Sequence, residues 1–167
     1  PEGVRAHTMS SATLTDIRIN DYSSNETIWN AAVAGTFGVP VIMVSGDDAT
    51  AAEAKARLGD IETAVVKWAH SFHSATTLTP KAGQAAIRQT AERAVRRLLA
   101  GEIDPYLVQT PVAITVRFKN YQPSQILAYL QMFERIDAHA VRYDAADMEE
   151  AARTLVFLRN YRADITP

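Results

Sequence analysis

Gly38-Val39-Pro40-Val41-Ile42-Met43-Val44-Ser45-Gly46-Asp47-Asp48 is the stretch on which the fold reading turns. From Val39 to Val44 it is continuously apolar, with a glycine on either side. A strand covered on both faces reads this way, because neither face has to meet water. The stretch therefore predicts a central strand of a parallel sheet over Val39–Val44. Pro40, which has no N–H for the ladder, is tolerable only near its start.

Upstream, Ile17-Arg18-Ile19-Asn20 is a short strand candidate, closed by the turn-like Asp21-Tyr22-Ser23-Ser24-Asn25. Glu26 to Phe37 reads as a helix that Asn25 can cap, with Ile28, Ala31, Ala32 and Val33 on its apolar face. Downstream, Ala49 to Leu58 is an alanine-rich helix and Thr63 to Ala69 a strand. Thr79-Pro80 opens the longest helix, with threonine as cap and proline at the first helical position. Its stripe is Ile87, Ala91, Ala94, Val95, Leu98 and Leu99, and Gly101 stops it. Arg93, Arg96 and Arg97 near its end complement the helix dipole and read as a solvated face rather than a ligand patch.

Pro111 to Phe118 alternates as a strand, and Pro123 to Tyr129 is a short helix. His139 to Tyr143 is a further strand. Asp147 to Tyr161 is a closing helix, with Asp147 as cap and Glu150 three residues on. Roughly five β-α units result. They predict an α/β protein, a three-layer α/β/α arrangement with a mostly parallel or mixed sheet and right-handed crossovers. No linker divides the chain, so residues 1–167 are expected to form a single α/β domain.

Composition narrows the function. A chain of 167 residues buries about 70% of its unfolded surface. With 47% apolar and 22% charged residues it is of globular type. Seventeen basic against nineteen acidic residues leave no surplus to neutralise phosphates, so no nucleic-acid partner is expected. No apolar run is long enough for a membrane helix, so no membrane partner is expected either. The absence of cysteine removes disulfides, thiolate metal sites and cysteine nucleophiles, and a cytoplasmic location is expected. The opening Pro1-Glu2-Gly3-Val4-Arg5 has neither the apolar stretch of a signal peptide nor an initiator methionine, and reads as a processed or truncated product.

Chemistry-bearing residues are few. The chain has no phosphate-binding glycine loop, no G-x-S-x-G and no H-E-x-x-H. Ligands of open α/β sheets gather beyond the carboxyl ends of strands, which points at Asp47 and Asp48, at Ser71 to Thr77, and at Asn120 and Tyr121. Adjacent carboxylates on an extended chain point apart, so one of Asp47 and Asp48 is expected to cap the following helix. His70 and His73 have a spacing that suits two ligands on a helical turn, but the stretch leaves a strand. His139 reads as a surface or packing residue. His7 stands in the small, polar Ala6-His7-Thr8-Met9-Ser10-Ser11, with no apolar pattern to account for it. Glu26 lies where a helix dipole welcomes a carboxylate, which is reason enough for an acid there.

In order along the chain, His7-Thr8-Met9-Ser10, Ile19-Asn20-Asp21, Asn25-Glu26-Thr27 and Asn30-Ala31-Ala32-Val33-Ala34-Gly35 lead to the stretch quoted first. Ala64-Val65-Val66-Lys67, Ser74-Ala75, Leu78-Thr79-Pro80, Phe118-Lys119-Asn120-Tyr121 and Asp147-Met148-Glu149-Glu150-Ala151 follow. This collinear set resembles the zinc-dependent D-aminopeptidases of peptidase family M55, the dipeptide transport protein-like group. The resemblance implies that the chain is the C-terminal portion of such an enzyme. The family's opening Asp-x-Glu-Gly motif and two further metal-binding histidines would belong to an N-terminal part absent from these residues.

His7 matches the family's active-site histidine, and Glu26 the carboxylate ligand of its dinuclear zinc site; substrate-binding residues stay unknown, with Gly46 to Asp48 and Ser71 to Thr77 as candidate walls. Two zinc ions about 3.5–4 Å apart would hold hydroxide, anchor a free amine and polarise a carbonyl. A histidine, which ordinarily titrates near neutrality, would carry a proton to the leaving amine. The implied function is release of N-terminal D-amino acids such as D-Ala from short peptides. It implies a zinc metallo-aminopeptidase, inactive without its N-terminal part or a companion chain, in a ring-shaped homo-oligomer such as a decamer. The alternative is a noncatalytic binding or scaffold module that keeps the fold without the metal half. A hydrolase acting on another amide is a third reading.

Overall fold

The elements follow in the order β1 (Leu14–Ile19), β2 (Tyr22–Ser23), α1 (Glu26–Thr36), β3 (Met43–Asp47), α2 (Asp48–Leu58), β4 (Glu62–Ser71), β5 (Ser74–Thr77), α3 (Pro80–Leu99), β6 (Val112–Phe118), α4 (Gln122–Leu127), β7 (Glu134–Arg135), β8 (Ala140–Ala145) and α5 (Met148–Asn160). This computed structural model describes residues 2–160; the expected end of the last helix at Tyr161 lies outside them. The class is α/β with mixed and antiparallel sheets. Among the described residues no helix is long and apolar enough to cross a membrane. The chain forms two compact units, one of residues 2–6 and 37–106, the other of residues 7–36 and 107–160.

The first unit holds the sheet β3-β4-β5, in which β3 and β4 run parallel and β4 and β5 antiparallel. Here the expectation for the opening stretch is corrected. The strand begins at Met43 rather than Val39, and β3 lies at the edge of its sheet among the described residues. Val39 is exposed and Pro40 stays outside the ladder, which starts where the Glu62 N–H reaches the Ile42 carbonyl at 3.1 Å. A proline cannot donate to a ladder, so pairing begins beyond it. The hairpin strand β5, Ser-Ala-Thr-Thr, was not expected, because it has no apolar alternation to announce it.

Helix α3 begins as the sequence indicates: Thr79 Oγ1 accepts the Ala82 N–H at 3.3 Å, and Pro80 is the first helical residue. Of its expected apolar stripe Ala94 is buried and Ala91 half-buried, but the large members Ile87, Val95, Leu98 and Leu99 are exposed. Val95 is 46% and Leu99 82% exposed, while Gly83, Thr90 and Ala94 face inward. Small residues make the contact because they let the helix lie close to β4. The arginines lie largely on an exposed face, as expected, but they are held there by ion pairs. Arg97 donates to Asp60 at 3.0 Å, Glu62 at 3.2 Å and Glu102 at 3.0 Å, and Arg93 donates to Glu62 at 3.1 Å. Arg93 and Arg96 are both exposed, Arg96 pairing loosely with Glu92 at 3.7 Å, and Arg97 alone of the three is half-buried.

The second unit holds a five-stranded sheet in the order β2-β1-β6-β8-β7, antiparallel throughout. Its central strand β6 alternates strictly, with Val112, Ile114, Val116 and Phe118 buried. Alternation with one buried face is the mark of an antiparallel strand, and here it outweighs the β-α order, which by itself suggested parallel pairing. Helix α5 covers β6 and β8 with Met148, Ala151, Leu155 and Leu158, and α1 packs on α5. Both helices carry the caps foreseen. Asn25 Oδ1 accepts the Ile28 N–H at 2.9 Å, and Asp147 Oδ1 accepts that of Glu150 at 2.8 Å. The Glu150 carboxylate reaches back past the cap residue to the Ala146 N–H at 2.7 Å.

Candidate functional site

His7 is the first residue of the second unit and is exposed. The backbone on both sides of it is unusually determined. Arg5 and Met9, two residues before and after, hold φ values of 56° and 57°. Non-glycine residues hold such left-handed conformations only where neighbouring bonds fix them. Before His7, the Arg5 N–H donates to the Phe72 carbonyl at 2.9 Å, and the Ala6 N–H closes a turn on Gly3 at 3.3 Å. After it, Ser10 organises the entry to β1: its Oγ accepts from the Thr13 N–H at 3.2 Å and the Thr13 hydroxyl at 2.7 Å, and its carbonyl from the Leu14 N–H at 3.1 Å. Lys119 donates to the Ser11 carbonyl next to it.

Glu26 is the first residue of α1, directly after its Asn25 cap. Its carboxylate is exposed and takes part in no ion pair among the described residues. The Ser24 N–H donates to the Ile17 carbonyl at 2.8 Å, so the approach to Glu26 is tied back to the middle of β1. His7 and Glu26 thus belong to one unit, on the segments that enter and leave the β1–β2 hairpin.

The other histidines are engaged. His70 Nε2 lies 2.7 Å from the Thr76 hydroxyl across the β4–β5 hairpin. His73 Nδ1 lies 3.0 Å from an Arg5 guanidinium nitrogen, and since arginine only donates, that ring nitrogen accepts. The two sit on the end and the turn of a hairpin, not on one helical turn. His139 is half-buried; its Nδ1 donates to the Phe118 carbonyl at 3.1 Å, a packing role as its position suggested.

Asp47 and Asp48 diverge as adjacent carboxylates should. Asp47 Oδ1 accepts the Thr50 N–H at 2.8 Å and caps α2, while Asp48 Oδ1 accepts the Ala69 N–H at 3.0 Å. Asn120 Oδ1 is used in a turn, accepting the Gln122 N–H at 2.9 Å, and the Tyr121 ring is exposed. Within the first unit, Glu2, Gly3, Ala6 and the run from Ala69 to Phe72 line a pocket of about 450 Å³; of the expected wall Ser71 to Thr77 only Ser71 and Phe72 take part, and Gly46 to Asp48 do not.

Zinc asks for three or more nitrogen, sulfur or oxygen donors in close array. Glu26 is of the right chemistry for one oxygen ligand. Among the described residues, however, no group of three or more His, Cys, Asp or Glu could hold a metal ion. The described residues therefore do not by themselves complete a zinc site.

Comparison with known proteins gives a consistent result. The family Peptidase_M55, described as D-aminopeptidase, matches residues 1–157. A D-aminopeptidase of Bacillus subtilis is 30% identical over 158 residues, covering 93% of this chain and 56% of that protein. The solved Zn-dependent D-aminopeptidase DppA from Bacillus subtilis, a self-compartmentalizing protease, is similar with a TM-score of 0.89 at 26% identity, covering 99% of this chain and 61% of that one. The chain thus spans little more than half the length of the relatives it matches.

Proposed function

The chain belongs to the D-aminopeptidase family Peptidase_M55, and we propose that it works in a zinc-dependent enzyme that removes N-terminal D-amino acids, such as D-Ala, from short peptides. The likeness to a Zn-dependent D-aminopeptidase over nearly the whole chain carries this reading. Glu26 would supply one carboxylate oxygen to the metal. The remaining ligands would come from polypeptide outside these 167 residues, either the same protein or a companion chain. When bound, two zinc ions would supply Lewis-acid polarisation of the scissile carbonyl.

The work left to this chain is proton transfer and placement. His7 would take a proton from the attacking water through an unprotonated ring nitrogen and return it to the leaving amine. That transfer needs an imidazole that is accessible yet held in one place. The doubly anchored, exposed His7 segment supports this role. A ring-shaped homo-oligomer would enclose the sites, as the description of the similar structure as self-compartmentalizing suggests.

The second reading is a noncatalytic scaffold that keeps the fold without the metal half. Metal analysis of the purified protein, paired with hydrolysis of D-Ala-D-Ala against L-Ala-L-Ala, separates the two. The enzyme reading expects bound zinc and D-selective turnover. It also expects that Glu26→Gln lowers zinc occupancy. Metal-free, inactive protein that still contains the remaining ligands would overturn it in favour of the scaffold.

A further inference from the structure

Asp47 ends β3 and uses its two oxygens for different purposes. Oδ1 caps α2, and Oδ2 accepts the Val4 N–H at 2.8 Å, from 43 residues away along the chain. The residue is only 5% exposed. A register shift between Gly46 and Asp47 interrupts the β3–β4 ladder just before it, and such bulges re-aim the side chain that follows. A helix cap requires a single acceptor, so the cap does not account for the second oxygen.

What that oxygen holds is the turn Gly3–Ala6, whose next residue is His7. The approach is close: a Cβ on Gly3 would stand 2.9 Å from Asp47 Oδ2, so any larger residue would have to displace the carboxylate. Arg5, in the same turn, keeps its left-handed backbone between this bond and the one to the Phe72 carbonyl. Burial pushes the Asp47 carboxyl up, but hydrogen bonds from the Thr50 side chain and backbone and from the Val4 N–H outweigh it and hold it below its ordinary value. The group is therefore an ionised, acceptor-only anchor at neutral pH.

We propose that Asp47 is a positioning residue for His7: its buried carboxylate, acting through the Val4 N–H, fixes the turn from which the imidazole is presented. The inference rests on the assignment of His7 to catalysis made above. A misplacement of about 1 Å at a reacting group can cost on the order of 10²-fold in rate, so a loosened turn should be felt in turnover rather than in binding.

Two substitutions in the zinc-loaded protein test this from opposite sides. Asp47→Ser keeps a cap for Thr50 and loses the acceptor for Val4; Gly3→Ala keeps the carboxylate and crowds it off the turn. Each should lower kcat on D-Ala-D-Ala about 10- to 100-fold with little change in KM or zinc content. Each should also speed amide exchange at Val4 while leaving α2 protected, and the double variant should be no worse than the more impaired single. In a His7→Ala background Asp47→Ser should cost nothing further.

Unchanged kcat in both variants, unchanged exchange at Val4, or a full Asp47→Ser effect without His7 would overturn the inference while leaving the aminopeptidase reading intact. Loss of protection throughout α2 would overturn it in favour of a purely structural role. A wild-type protein that binds zinc and turns over no D-alanyl peptide would sink the aminopeptidase reading, and this inference with it.

Discussion

The two units are held together by different means. The five-stranded unit buries branched and aromatic side chains: Ile17, Ile19, Ile114, Val116, Phe118 and Val141 within the sheet, and Ile28, Trp29, Leu155 and Leu158 from the helices. The three-stranded unit buries chiefly alanines, Ala51, Ala54, Ala64 and Ala94, together with Ile61. It ties α3 down with Arg93 and Arg97 on Glu62 and Asp60. Apolar burial scales with the area removed from water, so the first means is strong and is not screened by salt. Ion pairs near the surface are weaker and screened. The lesson is that similar helix-strand sequence patterns rest here on unlike energetics.

The largest expected effect separates chemistry from that framework. His7→Ala should lower turnover of D-alanyl peptides about 10²- to 10⁴-fold, with urea unfolding unchanged, because the side chain is exposed and adds nothing to the core. Retained activity would remove His7 from the mechanism. Next, Ile114→Ala deletes a fully buried side chain at the middle of the central strand. It should cost about 2–5 kcal/mol in denaturant unfolding, and a loss under 1 kcal/mol would contradict the account of that core.

Arg97→Ala should have a smaller effect, read as faster amide exchange along α3 with β6 and β8 left protected. The difference from wild type should shrink in high salt. Equal loss in both units would break the distinction between them.

The smallest effect is one of pH. Burial raises the Glu62 carboxyl, but hydrogen bonds and charge attraction from Arg93 and Arg97 outweigh it and leave it below its ordinary value. Asp47 is lowered as well. A carboxyl lowered by folding stabilises fully above its unfolded pKa, roughly 4, and loses that contribution as pH falls through the folded value. Protection in α2 and α3 should therefore decline in acid, below about pH 4, before that of β6 does. Asp16, Asp137 and Glu150 of the other unit are also lowered, but the apolar core around β6 does not depend on them. If β6 loosened first, the ordering would be wrong.

Local features were legible because they depend on neighbours in sequence. Asn25, Thr79 and Asp147 each accept an N–H three residues on, as their positions before apolar helical stretches indicated. The alternation of Val112 to Phe118 gave a strand with one buried face. Features that depend on distant partners were not. The exposed stripe of α3 has the same period as a buried one, and the polar Ser74–Thr77 becomes a strand by pairing with β4. Of the site, His7 and Glu26 were reached by resemblance to a family, and the spacing of residues alone gave neither.

The sequence by itself determined the helices, their caps, the α/β class and the family, since each is written in short-range period, end chemistry or collinear motif. Tertiary structure alone decided that the larger sheet runs antiparallel, that α3 approaches β4 through small residues, and that Asp47 reaches Val4. Those outcomes depend on which groups lacked a partner once the chain had folded. A buried N–H or carboxylate takes whatever complementary atom the packing brings within about 3 Å, however far off in sequence it lies.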